Sequence, residues 1–246
     1  LKAMLALNPA TGTAMAANTP GGTGFNWTFT SGSSGDGAFD FLREGETLTL
    51  TYTLTLTDNS GATGSEASAS TTTTVAITVT GTGERPIISN GDDVVALVEA
   101  NSSLSSTGSM TVVDPDLNDT VSASVNSVVI SGGSFNAANV PLTNADLKAM
   151  LSLSVASGTL TAIAADAPAG SNYTWTFTSG PASGGGNKAF EFLAAGETLE
   201  LTYTVKVVDN SAAPSASFTT DTSTVKVTIT GTNDAPTVTV VDVTGA

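Results

Sequence analysis

The chain has 246 residues, 40% of them apolar, enough to bury one or two hydrophobic cores, and 22 acidic against 7 basic side chains give it a formal charge of −15. Cysteine and histidine are both absent, which excludes disulfides, thiolate nucleophiles, Cys/His zinc sites and any catalytic triad built on imidazole. The acidic balance argues against nucleic acid and anionic membranes as partners and favours hard divalent cations, which take carboxylate and carbonyl oxygens, with calcium foremost. No apolar run approaches the roughly 20 residues of a membrane span, so membrane insertion is not expected.

Taken in order, the chain repeats itself. Leu1-Lys2-Ala3-Met4-Leu5 returns as Leu147-Lys148-Ala149-Met150-Leu151, and Asn26-Trp27-Thr28-Phe29-Thr30-Ser31-Gly32 answers to Thr174-Trp175-Thr176-Phe177-Thr178-Ser179-Gly180. Phe39-Asp40-Phe41-Leu42 before Gly45-Glu46-Thr47-Leu48 answers to Phe190-Glu191-Phe192-Leu193 before Gly196-Glu197-Thr198-Leu199. Leu48, Leu50, Tyr52, Leu54 and Leu56 then alternate with threonines, as Leu199, Leu201, Tyr203, Val205 and Val207 alternate with polar residues in the later copy; this period of two is that of a half-buried strand. Gly81-Thr82-Gly83-Glu84-Arg85-Pro86 corresponds to Gly231-Thr232-Asn233-Asp234-Ala235-Pro236. One repeat is therefore about 150 residues. Residues 86–236 read as one complete repeat, residues 1–85 as the later part of a preceding repeat, and residues 237–246 as the first strand of a following one.

Within residues 86–236, short β-prone runs separated by Gly, Ser, Asn, Asp and Pro clusters predict strands near 94–98, 109–113, 120–130, 158–164, 172–178, 198–208 and 223–230. The expected fold is all-β, a Greek-key sandwich repeated in tandem. One short helix is predicted at 142–151, where Thr143 or Asn144 can cap, Asp146 lies in the first turn, and Leu147, Met150 and Leu151 share a face.

With Trp-Thr-Phe-Thr-Ser-Gly at 175–180, Phe-Glu-Phe-Leu-Ala-Ala-Gly-Glu-Thr-Leu at 190–199, Gly-Thr-Asn-Asp-Ala-Pro at 231–236 and Val-Asp-Pro-Asp-Leu-Asn-Asp-Thr at 113–120 in hand, the chain resembles the VCBS and cadherin-like tandem repeats of giant, RTX-type bacterial adhesins. The resemblance implies an Ig-like, non-enzymatic extender module on a secreted or surface-anchored protein. Adjacent repeats of the same chain are its expected partners, and calcium stiffens the junctions between them. Two other readings are an adhesion module that binds extracellular polysaccharide or a cadherin-like domain, and a fibre or surface-layer subunit that assembles with neighbouring copies.

The calcium candidates fall at strand ends and junctions. Asp114, Asp116 and Asp119, at i, i+2 and i+5 around Pro115, can converge on one cation, and Glu99 ends the first predicted strand. Asp58 and Asp209 close the long strand in Asp-Asn-Ser turns, which the turn chemistry alone also explains. Asn233 and Asp234 form one junction and Glu84 the other. Arg85 beside Glu84 adds positive charge, so the later junction is expected to hold calcium more tightly. Glu46 and Glu197 are expected to cap turns, Trp27 and Trp175 to pack in a core, and Lys206 and Lys226 to lie on solvent faces.

Overall fold

The computed structural model describes residues 1–10, 24–32, 37–58, 69–116, 119–155, 163–164, 171–180, 189–210 and 219–236. The chain divides into two compact units, Leu1–Gly83 and Glu84–Ala246. The predicted opening strand at 237–246 and most of the strand predicted at 158–164 lie outside the described residues.

The first unit begins with a 3-10 turn, Lys2–Met4, followed by β1 (Leu5–Asn8), which pairs antiparallel with β2 (Asn26–Phe29). β3 (Thr47–Thr57) and β4 (Ser70–Thr80) form an antiparallel pair over their full eleven residues. The threonines of β3 are exposed while Leu48, Leu50, Tyr52, Leu54 and Leu56 are half-buried, as the alternation requires. Among the described residues of this unit only Leu42 is buried.

The second unit is an all-β structure with one short α-helix among its described residues. β5 (Ile87–Ile88), β6 (Asp93–Val98), β7 (Ser105–Val113), β8 (Thr120–Gly133), β9 (Leu151–Val155), β10 (Ile163–Ala164), β11 (Ser171–Thr178), β12 (Thr198–Asp209) and β13 (Thr220–Thr230) build two sheets, ordered β10-β8-β12-β13-β6 and β5-β7-β11-β9. All neighbours are antiparallel except β6 and β13. A shared core fills the space between the sheets, with Leu199, Leu201, Tyr203, Val205, Val225, Val227 and Ile229 from one meeting Met110, Trp175 and Phe177 from the other. Burying side chains of this size contributes about 1.5–3 kcal/mol each, so this layer is what holds the unit together.

Three local devices fix the frame. The helix α1 (Asn144–Ala149) starts on a capping box, in which Thr143 Oγ1 accepts from the Asp146 N–H and the Asp146 carboxylate accepts from the Thr143 N–H, and it buries Leu147. It links β8 of one sheet to β9 of the other, and Leu151, grouped with the helix on its apolar spacing, is instead the first residue of β9. The indole of Trp175 lies over Gly108, its register partner in β7, where a Cβ would collide with the ring, and its Nε1 donates to Asp93. Asp92, at a φ of 65°, accepts from the Thr224 N–H at 2.9 Å and Oγ1 at 2.7 Å, while its own N–H donates to Ser223 Oγ at 2.7 Å. That knot pins the start of β6 to β13. Its polar bonds offset the unfavourable backbone of a non-glycine residue at positive φ.

Candidate metal centre

β7 ends at Val113, and the next turn carries carboxylates inward rather than out to water. Asp114 Oδ1 accepts from the Asp116 N–H at 3.1 Å, and the Asp119 N–H donates to the Asp116 carbonyl at 3.3 Å, so Asp114-Pro115-Asp116 folds back on itself. Pro115 supplies the fixed φ of that turn. Thr120 opens β8 by donating its N–H to Asn210 Oδ1 at 2.9 Å, which brings the turn against the end of β12 and hence against Asp209. From the start of the unit the Glu84 N–H donates to Asp116 Oδ2 at 3.0 Å. Five carboxylates thus gather at one end of the second unit.

Their burial is unusual for charged groups. Asp114, Asp116, Asp119 and Asp209 are 3%, 0%, 1% and 6% exposed, whereas aspartates are almost never fully buried without a counter-charge. Burial, reinforced by the negative charges of Asp209, Asp119 and Glu84, pushes the Asp114 carboxyl up to about 6 against the bonding of the Asp116 N–H, which pulls it down. Asp116 moves the same way, chiefly by burial, with the Glu84 and Asp114 carboxylates adding to the rise and the Glu84 N–H opposing it. Asp114 Oδ2 and Asp116 Oδ1 are buried and accept no hydrogen bond. Buried carboxylate oxygens without a hydrogen-bond partner are of the chemical type that hard divalent cations take as ligands.

The remaining candidates separate from this centre. Glu99, 3% exposed, takes the Thr232 hydroxyl at 2.5 Å and the Thr232 N–H at 3.3 Å on Oε2, and it forms a second acidic group with Glu191 and Asp234 in which one carboxylate oxygen from each lies within 4.8 Å of the others. Glu99 follows β6 and Asp234 follows the parallel strand β13, so this group lies at the end of the sheet opposite Asp209. β12, twelve residues long, spans roughly 35 Å between the two ends. Asn233 is exposed and its amide donates to the neighbouring Asp234 carbonyl at 3.5 Å. Asp58 is exposed at the end of β3, unlike its buried repeat counterpart Asp209. Arg85 extends to Asp221, with 3.2 Å between Nη1 and Oδ1.

Sequence reasoning missed Glu191 and Asp221. Glu191 sits between two phenylalanines and reads as part of an anchor, but its repeat counterpart is Asp40, and an acidic residue at the same place in both copies is the signal that could have marked it. Glu46 and Glu197 do cap turns: Glu46 Oε2 accepts from the Arg43 N–H at 3.1 Å and Glu197 Oε2 from the Ala194 N–H at 2.8 Å. Lys226 lies on the outer face of its sheet, 2.8 Å from Glu200. A search of protein-family models finds no match to this chain, and neither does a search of curated proteins. The likeness to VCBS and cadherin-like repeats rests on the motifs alone.

Proposed function

We propose that this chain is a non-catalytic extender segment of a large secreted or surface-anchored bacterial adhesin, built of Ig-like Greek-key repeats and stiffened by calcium where one repeat follows another. The observation that carries this reading is the pair Asp114 and Asp116, buried with an unbonded oxygen each in the company of three further carboxylates. A cation satisfies those oxygens and turns mutual repulsion into a cross-link among the loop 114–119, the end of β12 and the segment at Glu84. The repeat itself adds support. Asp234 stands where Glu84 stands one repeat earlier, so the same repeat position supplies a carboxylate to the acidic group that closes a unit, with Glu99 and Glu191, and to the one that opens a unit, with Asp114 and Asp116. The full burial of Trp175 favours a spacer over a carbohydrate-binding surface, because the indole offers no face to a sugar ring.

Calorimetry on the whole chain, with calcium and with chelator, tests the reading. Calcium at 100 times its dissociation constant adds about 2.7 kcal/mol per site. The melting temperature should rise with the ion, and the rise should shrink in Asp116→Asn. If chelation leaves the melting temperature unchanged, the calcium reading is wrong.

A further inference from the structure

Arg85 is the cation nearest in sequence to the carboxylate centre, and yet it does not serve as its counter-ion. Glu84, one residue before it, has its N–H on Asp116 Oδ2, so Arg85 follows directly in the chain on a residue that belongs to the centre. Asp221 at the start of β13 takes that guanidinium instead, at 3.2 Å through Oδ1, and accepts the Ile88 N–H at 2.9 Å through Oδ2. The two bonds use both oxygens of one carboxylate and fix residues 85–88 against β13. The Arg85 side chain is 51% exposed and that of Asp221 21%, so water alone would let a long flexible arginine choose among nearby anions. The second bond, from the backbone of Ile88, is what keeps Asp221 in place to receive it.

We infer that Asp221 is a positioning residue for the cation site: by holding Arg85 it keeps a positive charge out of the carboxylate centre and so sets the affinity of that centre for a divalent ion. This rests on the reading of the centre as a calcium site. Released from Asp221, Arg85 is still joined through the chain to Glu84, whose N–H lies on Asp116, and a guanidinium drawn to that centre competes with the metal for the same oxygens and repels it. A unit charge several ångströms from a divalent ion in a largely aqueous setting is worth roughly a three- to tenfold change in affinity.

The test is calcium titration of the full chain by calorimetry at fixed ionic strength, with Asp116→Asn marking the share of binding that belongs to the centre. Asp221→Asn is expected to weaken that share by roughly three- to tenfold, Asp221→Glu to keep it within about twofold, and Asp221→Asn combined with Arg85→Gln to restore it, since the double variant has no free cation. Arg85→Gln alone, on an exposed side chain that poses little risk to folding, is expected to change the affinity by less than about twofold. The inference is overturned if Asp221→Asn binds like the parent, if the loss persists when residue 85 is glutamine, or if Arg85→Gln alone tightens binding threefold or more, which would mean that arginine already acts on the ion. Failure of the parent chain to bind calcium, or binding that Asp116→Asn leaves intact, removes the calcium reading itself and the role of Asp221 with it.

Discussion

The two units carry the same local hydrogen bonds and very different burial. Tyr203 Oη donates to the Leu147 carbonyl at 2.9 Å, and its counterpart Tyr52 donates to the Leu1 carbonyl at 3.0 Å. The Gly231 N–H meets the Glu197 carbonyl at 2.8 Å, as the Gly81 N–H meets that of Glu46, and the returning bonds from Gly196 to Gly231 and from Gly45 to Gly81 are 3.0 and 3.1 Å. Yet Trp175 is 1% exposed and Trp27 46%. The difference lies in what covers them: in the second unit β7 places Gly108 on the indole, and among the described residues of the first unit no strand is paired with β2 in that way. Turns and strand pairs are thus written into each repeat locally, whereas burial also needs strands far away in the chain, as β6 is from β13.

The comparison can be broken most decisively at its tryptophans. Trp175→Ala should cost about 3–5 kcal/mol as a core truncation, and Trp27→Ala about 1 kcal/mol or less, read as shifts in calorimetric melting of the whole chain. Equal effects would show that Trp27 is covered in solution.

Acidity separates the units next. Asp114 and Asp116 have folded pKa values above the unfolded one, so between about pH 4 and pH 7 the ion-free folded state binds more protons than the unfolded state, and its stability must fall as pH rises through that window. The loss belongs to the second unit in chelator, and calcium should abolish most of it. Urea melts at pH 4.5 and 7, with and without chelator, would show whether the slope belongs to the second unit.

Smaller effects sharpen the same contrast. Gly108→Ala should cost about 1–3 kcal/mol by forcing a methyl into the Trp175 ring. Thr143→Ala should cost about 1 kcal/mol by removing the cap of α1. The corresponding stretch Leu1-Lys2-Ala3-Met4-Leu5 forms a 3-10 turn where Leu147-Lys148-Ala149-Met150-Leu151 closes an α-helix. A Thr143→Ala helix that keeps its amide-exchange protection would mean that tertiary packing rather than the cap decides between the two.

Much of this was legible in the sequence where one rule acts alone. The inward residues of β12 and β13 follow from strict alternation, α1 from its cap and its apolar spacing, and the repeat from word matches. Where two rules competed, the reading slipped. Leu151 continues the helical spacing but starts a strand, because Met150 ends the helix and β9 must pair with β11. Ser105 to Gly108 carry no apolar residue, so the first half of β7 was invisible; its worth lies in making room for an indole. At the site, Asp114, Asp116, Asp119, Glu84 and Asp209 were all named as candidates from charge, turn position and resemblance, but their convergence, and the separation of Glu99 and Asp234 to the far end, depend on strand direction, which spacing does not reveal. Asp221 was invisible for the same reason, since its partner lies 136 residues away.

The parallel pairing of β6 with β13 has a mechanical consequence. β6 lies early in the second unit and β13 late in it, and the two strands run side by side in the same direction with six residue pairs in register, from Asp93–Val225 to Val98–Thr230. Tension applied along the chain therefore pulls the start of one strand against the finish of its neighbour. The load slides the strands lengthwise, so the backbone bonds between them share the force and must yield nearly together, instead of opening one by one as in a zipper peeled from its end. The knot of Asp92 with Ser223 and Thr224 sits at the start of that strand pair.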